Sequence, residues 1–257
     1  MKLEMIPSNS HVADPRCLPR FVNQGDHAVL VFHGFTGSPH DLGYLGDRLV
    51  EKGYSLVVPR LPGHGTNRQD FLQTGWKQWL RRATDVYLDT CARFPRVSVG
   101  GLSMGGLLAL LVASRFPVHD LFLAAPALLV QDGSIRWTPL LQFFRKTLPK
   151  KREHAYEEPY LQKLNEEYWS QFIIPKIADL YHLQKMARRA LPSVKARCFT
   201  ILARKDPDVA SAQVEQLLQA HFSSQLKTLW LEASGHVVVN DCEKEAAADG
   251  ILQWLGG

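Results

Sequence analysis

Apolar runs and helical repeats of apolar residues alternate along the first half of the chain. Ala28-Val29-Leu30-Val31-Phe32 is apolar throughout, the pattern of a strand buried on both faces. From Asp41 to Lys52, the residues Leu42, Leu45, Leu49 and Val50 recur at helical spacing, and Gly53 follows as a stop. Tyr54-Ser55-Leu56-Val57-Val58 predicts the next strand, ended by Pro59. Trp76, Trp79, Leu80, Ala83, Val86, Tyr87 and Phe94 predict a long helix over 76–94, with its aromatic side chains as core. Val97-Ser98-Val99 reads as a strand, Gly106 to Ala113 as a helix, and Leu121 to Ala125 as a further strand closed by Pro126. Residues 1–27 read as loop, with at most one short edge strand near Arg20-Phe21-Val22.

The rhythm breaks at Ala127. From there to Leu191 no run has the character of a strand. The segment holds Ile135, Trp137, Leu140, Leu141, Phe143, Phe144 and Leu148, then a charged helical stretch through Trp169, then a helix from Ile177 to Arg189. Strands resume at Cys198–Ala203 and Thr228–Leu231, separated by a helical repeat from Val209 through Val214, Leu217 and Leu218. The alternation predicts an α/β chain: a mostly parallel sheet of about six to seven strands flanked by helices. Residues 1–126 and 191–257 form its core, and 127–190 a mainly helical insertion.

Length and composition narrow the function classes. A chain of 257 residues is long enough for one substantial core. No apolar stretch reaches the ~20 residues of a membrane span, and the N-terminus lacks the apolar core of a secretory signal. Cys17, Cys91, Cys198 and Cys242 are scattered without a C-x-x-C, which fits reduced cysteines in a cytoplasmic protein better than disulfides. Cys91 and Cys198 are expected to be buried. The net charge is +5. Basic residues cluster at Lys146, Lys150, Lys151 and Arg152, but without the motifs of a nucleic-acid surface, and these read as a solvated face, with a membrane surface or an anionic partner as the alternative for 146–152. Nothing implies a cofactor, and no set of His, Cys and carboxylates has metal-ligand spacing. The oligomeric state is open.

Candidate chemistry enters at Gly101-Leu102-Ser103-Met104-Gly105, between a predicted strand and a predicted helix. A sharp strand-to-helix turn lifts the serine hydroxyl clear of the sheet, and side chains in place of the flanking glycines would clash with neighbouring backbone. The expectation is that Ser103 is a nucleophile. Asp206 lies just past the strand ending at Ala203, and His236 beyond the strand ending at Leu231, each at the end of a strand where an open parallel sheet gathers its ligands. Asp206 is expected to orient His236, the base. Asp208, the competing acid, is placed to cap the helix that follows. His33-Gly34-Phe35-Thr36-Gly37 follows the first buried strand, so the backbone N–H groups of Phe35 and Met104 are the candidate oxyanion donors. His33 is expected to brace that loop, and His64, in Gly63-His64-Gly65, to be a structural turn residue.

Together, Val31 to Gly37, Gly63-His64-Gly65, Gly101 to Gly106, Asp206 to Val209 and Ser234-Gly235-His236 resemble the α/β-hydrolases, in particular the bacterial carboxylesterase and monoacylglycerol lipase group. The resemblance implies a serine carboxylesterase acting on small esters of short to medium acyl chains, with monoacylglycerols among the candidates. Thioesterase, acyltransferase and C–C bond hydrolase activities use the same triad and stay open. The resemblance also makes 127–190 a cap over the site, with Trp137, Leu140, Phe143 and Phe144 as tentative substrate-pocket residues.

Overall fold

The computed structural model describes residues 13–149, 162, 168 and 170–257. The main elements up to the insertion are β1 (Arg20–Val22), β2 (His27–Phe32), α1 (Gly43–Glu51), β3 (Ser55–Val58), α2 (Arg68–Gln73), α3 (Trp76–Cys91), β4 (Arg96–Leu102), α4 (Met104–Ala113) and β5 (Asp120–Ala124). After it come β8 (Arg197–Ala203), α7 (Ser211–His221), β9 (Leu226–Leu231) and α8 (Lys244–Gly256). One sheet joins seven strands in the order β1-β3-β2-β4-β5-β8-β9. All pairs are parallel except β1 with β3, so the short edge strand expected near Arg20 is the one antiparallel member of this sheet.

The continuous apolar runs are explained by burial on both faces. In β2, Ala28, Leu30 and Phe32 pack into one core with α3 and α4, while Val29 and Val31 pack into the other with α1 and α8. Every residue of α4 is buried, which accounts for its lack of a polar face. Trp79, Leu80, Ala83, Val86 and Tyr87 form the buried stripe of α3. That helix stops at Cys91, whose side chain is exposed and not buried as its sequence context suggests. Cys198 is buried in β8.

The insertion differs from its sequence reading in one respect. Besides a 3-10 turn (Gly133–Trp137), α5 (Thr138–Leu141) and the long α6 (Ile174–Ala190), it contains a second, antiparallel sheet of β6 (Thr147–Pro149) and β7 (Gln171–Ile173). Each strand has three residues, too short for apolar alternation to register. The expected charged helical stretch before Trp169 and the cations Lys150, Lys151 and Arg152 lie outside the described residues, as does the N-terminal segment through Pro7.

At the N-terminal ends of the parallel strands a polar cluster is buried in the sheet. His27 Nε2 lies 2.7 Å from Ser98 Oγ, and Ser98 Oγ donates to Asp120 Oδ2 at 3.4 Å. Asp120, fully buried, also binds His119 Nδ1 at 2.8 Å and the Arg197 guanidinium. A cavity of about 390 Å³ opens beside His27, bordered by Lys52, Tyr54 and Arg96.

Candidate active site

The opposite end of the sheet assembles a second group of the same residue types. Ser103 follows the last residue of β4 and adopts φ 55° and ψ −115°, in the left-handed φ region that side chains other than glycine avoid. The turn is possible because of its glycines. A Cβ on Gly101 would overlap the backbone of Gly105 and Gly106, and one on Gly105 would overlap the backbone of Phe32 and His33. Close approach of α4 to β4 and β2 therefore requires glycine at both positions.

Ser103 Oγ stands 2.8 Å from His236 Nε2. His236 Nδ1 is 2.8 Å from Asp206 Oδ2. The other carboxylate oxygen, Asp206 Oδ1, accepts the backbone N–H groups of Asp208 and Val209, each at 2.8 Å. Both ends of the Asp206 carboxylate are thus engaged, which fixes the oxygen aimed at the imidazole. Burial, the largest influence on His236, disfavours its cation. The hydrogen bond to Asp206, the Asp206 charge and the nearby Asp208 charge together outweigh it, so the pKa is raised above the ordinary 6.5. An imidazole so placed can take the serine proton and keep it while an acyl group is transferred.

Asp208 is not the cap that its position suggests. The residue before α7 is Ala210, whose side chain makes no capping bond. The Asp206 carboxylate takes the N–H of Asp208 itself, folding a tight turn before the helix begins. Asp208 is exposed, and its carboxylate lies within 4.8 Å of ligating atoms of both Asp206 and His236.

The candidate oxyanion loop lies beside the serine. A Cβ added to Gly34 would sit 3.4 Å from Ser103 Cβ. Met104 is the first residue of α4, so its N–H has no partner within the helix. His33 is buried at the start of the loop. Its Nδ1 lies 3.0 Å from Gly34 O, and its Nε2 accepts the N–H of Leu61 at 3.1 Å. Burial holds its pKa down at about 4, so the ring stays neutral and ties the loop after β2 to the loop after β3. His64 is also fully buried and turned onto its own segment, Nδ1 lying 3.0 Å from Pro62 O. Phe35 is half-buried against Phe71 and Trp79, with ring centroids 5.6 and 6.1 Å away.

Three further residues support the site and have no motif in the sequence. Glu243 accepts the backbone N–H groups of Glu232, Ala233 and Ser234 and the Ser234 hydroxyl. Asp241 accepts the N–H of Gly235 at 2.7 Å. Four consecutive N–H groups before His236 are thus held by two carboxylates. Hydrogen bonds from Ala233 and Ser234 are the main reason the Glu243 carboxyl is pulled down to about 2. Gln131 bridges from the start of the insertion, its Nε2 donating to the carbonyls of Asp206 and Val209 at 3.4 and 3.1 Å. Only a sequence signal for acids ten to twelve residues after a strand could have drawn attention to the carboxylate pair, and such a signal is too common to be specific.

The tentative pocket residues do not join this group. Trp137, Leu140, Phe143 and Phe144 are 54, 59, 77 and 79% exposed. Their apolar character suggested a mixture of inward packing and roofing of an acyl pocket; the segment from the 3-10 turn through the end of α5 leaves them exposed.

The chain is similar to several named esterases and lipases. A carboxylesterase of Bacillus subtilis is 24% identical over 232 residues, covering 90% of this chain and 93% of that protein. A thermostable monoacylglycerol lipase of Bacillus sp. strain H-257 is 37% identical over 99 residues, 38% of this chain and 40% of the lipase. A solved structure from work on the metagenome-derived lipolytic enzymes LipS and LipT superposes with a TM-score of 0.83 at 27% identity, covering 95% of this chain and 98% of that one. With a sheet of this topology, a serine on a glycine-flanked turn, and a sequence model that matches residues 28–249, the chain belongs to the alpha/beta hydrolase family.

Proposed function

We propose that the protein is a serine hydrolase cleaving carboxylic esters of short to medium acyl chains, monoacylglycerols among them, through an acyl-enzyme on Ser103. The observation that carries this reading is the unbroken relay of two 2.8 Å contacts, Ser103 to His236 and His236 to Asp206, on a strained turn at the strand ends. The naming of its relatives as carboxylesterase and monoacylglycerol lipase supports the ester as substrate. Ser103 Oγ attacks the ester carbonyl carbon while His236 Nε2 takes its proton. The resulting oxyanion is held by the N–H groups of Phe35 and Met104, donors worth about 3–4 kcal/mol each. His236 returns the proton to the leaving alcohol. Water then enters, His236 deprotonates it, and the acid departs from a regenerated serine. Asp206 holds the imidazole tautomer and stabilises its cation throughout. No step draws on a metal or an organic cofactor.

Phe35, packed against Phe71 and Trp79, provides an aromatic wall beside the oxyanion loop, which favours acyl chains of limited length. Residues 127–190 act as the cap. No described helix is long and apolar enough to cross a membrane, and the cysteine pattern suits a cytoplasmic enzyme. The test is a series of p-nitrophenyl esters from acetate to palmitate, run beside thioester and amide analogues, with a serine-directed phosphonate mapped by mass spectrometry. The expected result is hydrolysis peaking at short to medium chains and an adduct on Ser103. An adduct elsewhere, or faster turnover of thioesters than of esters, overturns the assignment.

A further inference from the structure

A groove between α6 and α7 carries charge of one sign. It is a cavity of about 320 Å³ lined by Tyr181, Lys185, Arg188 and Arg189 of α6 and by Leu217 and His221 of α7. The helical repeat explains why these side chains converge. Tyr181, Lys185 and Arg188 recur at i, i+4 and i+7 on one face of α6, and Leu217 and His221 stand one turn apart on α7. Tyr181, Arg188 and Leu217 are half-buried and form the floor, whereas Lys185, Arg189 and His221 are exposed at the rim. The Lys185 ammonium and the Arg188 guanidinium lie 5.9 and 6.0 Å from the centre of the Tyr181 ring, so one aromatic side chain holds both cations.

No carboxylate balances these cations. Among the described residues, Lys185, Arg188 and Arg189 form no ion pair. The one acid of each helix is engaged elsewhere: Asp179 with Lys176 at 2.6 Å, and Glu215 with the Trp230 indole N–H at 3.0 Å. Arg188 Nη1 donates to Leu128 O at 2.6 Å, but its Nε and Nη2 have no partner among the described residues. Burial disfavours the Arg188 cation, and no carboxylate offsets that cost. Arg188 and Arg189 also complement the negative C-terminal end of α6. That dipole does not account for Lys185, one turn earlier, or for the open cavity that all three line.

We propose that this groove binds the diphosphate group of a small molecule, with the Arg188 and Arg189 guanidinium groups and the Lys185 ammonium donating to its oxygens. Three permanent cations without an acid call for a ligand of more than one negative charge, and guanidinium forks match phosphate oxygens in geometry. A monocarboxylate would leave two of the cations unbalanced. The cavity volume falls at the lower end of the range of about 300–1,000 Å³ for small-molecule sites, which suits a compact anion. Tyr181 and Leu217 keep water from one side of the groove, where charge contacts are strengthened. Binding here is independent of the ester-hydrolase reading.

Isothermal titration of the full-length protein with inorganic pyrophosphate, inorganic phosphate and acetate, at matched ionic strength, tests it. Pyrophosphate is expected to bind one to one and roughly tenfold or more tighter than phosphate, while acetate gives no saturable heat. The pyrophosphate affinity should fall as salt rises. K185Q/R189Q alters two exposed side chains and should weaken pyrophosphate binding roughly tenfold or more, with an unchanged melting temperature as the check on folding. R81Q/R82Q removes the same number of charges from the exposed face of α3 and should leave the affinity within about twofold. Absence of saturable pyrophosphate binding, or equal affinity for phosphate, overturns the proposal. So does binding indifferent to K185Q/R189Q. An equal loss in R81Q/R82Q overturns it as well, since the anion would then be drawn by the net charge of the whole protein and not by this groove.

Discussion

The two ends of the sheet each gather a serine, histidines and an aspartate, yet only one end has the order of contacts that the proposed mechanism needs. Ser98 and Ser103 lie five residues apart on the same stretch of chain. Each has an imidazole nitrogen within 2.8 Å of its hydroxyl. The N-terminal end even has a cavity beside its histidine. The difference lies in order and backbone. Around Ser103 the contacts run carboxylate, imidazole, hydroxyl, the order in which an acid can orient a base. Around Ser98 the hydroxyl stands between His27 and Asp120, and the acid is occupied by His119 and Arg197. Ser98 is fully buried in a regular strand, with no helix N-terminus behind it. Ser103 sits on a strained turn with the first N–H of α4 beside it. Residue types at hydrogen-bonding distance are therefore not a site; the elbow and the order of the relay make one.

Paired substitutions test that contrast most severely. Ser103→Ala should cut ester kcat by about 10⁴-fold or more while leaving the melting temperature nearly unchanged. Ser98→Ala should keep kcat within about twofold and cost about 1–2 kcal/mol of stability, because it removes a buried hydrogen-bonding link. Equal losses of activity in the two variants would break the comparison.

The aspartates should divide the same way. Asp206→Asn leaves a side chain that holds the wrong imidazole tautomer, and kcat should fall by about 10⁴-fold. Asp120→Asn strips Arg197 of its buried partner and should cost about 3 kcal/mol in denaturant unfolding, with kcat of the folded fraction retained.

A smaller effect is expected at Glu243, which holds the loop before His236 without touching substrate. Glu243→Gln should lower kcat about ten- to a hundredfold through misplacement of the imidazole, with KM little changed. A loss confined to melting temperature would make Glu243 a structural anchor only. Its carboxyl sits near 2 in the folded state against an ordinary 4.5. Its contribution to stability is therefore complete above 4.5 and fades as pH falls toward 2.

The mildest contrast is in pH. His236 must be neutral to act as base, and its pKa is raised, so kcat/KM should fall on acidification through a value above 6.5. His27 is displaced the other way, to about 4, first by burial and then by the charges of Arg96 and His119. It therefore stays neutral where His236 titrates, and its protonation in the unfolded chain makes stability decline from 6.5 toward 4. Imidazole titration by NMR should resolve the two. Asp208→Asn should move the activity limb slightly toward lower pH, because it removes one of the charges that favour the imidazolium. A limb that does not move would leave Asp208 without influence on the base.

The contrast also marks what a sequence can disclose. Ser103, Asp206 and His236 were legible because each stands just after a strand and has neighbours with a local geometric purpose, such as Gly101 and Gly105. The continuous runs gave the central strands for the same reason: burial on both faces leaves no room for polar residues. Glu243, Asp241 and Gln131 were not legible, since nearly all their partners are backbone groups that carry no side-chain signature. Asp208 misled because the turn before α7 uses the Asp206 carboxylate and not a cap. The apolar residues from Trp137 to Phe144 are a different case. Apolar identity predicts removal from water, but not whether a core or something outside the chain provides it.

The insertion also has a consequence for how the chain acquires its shape. β2, β3, β4 and β5 can pair soon after one another, and α4 packs across one face of them. β8 must find β5 across roughly seventy residues, and the loop-closure entropy of that step is spent before its contacts form. Ser103 and His236 are 133 positions apart. During refolding, the half of the sheet bearing the serine can therefore be in place well before the half that supplies the acid and the base. Catalytic competence should be among the last properties the molecule gains.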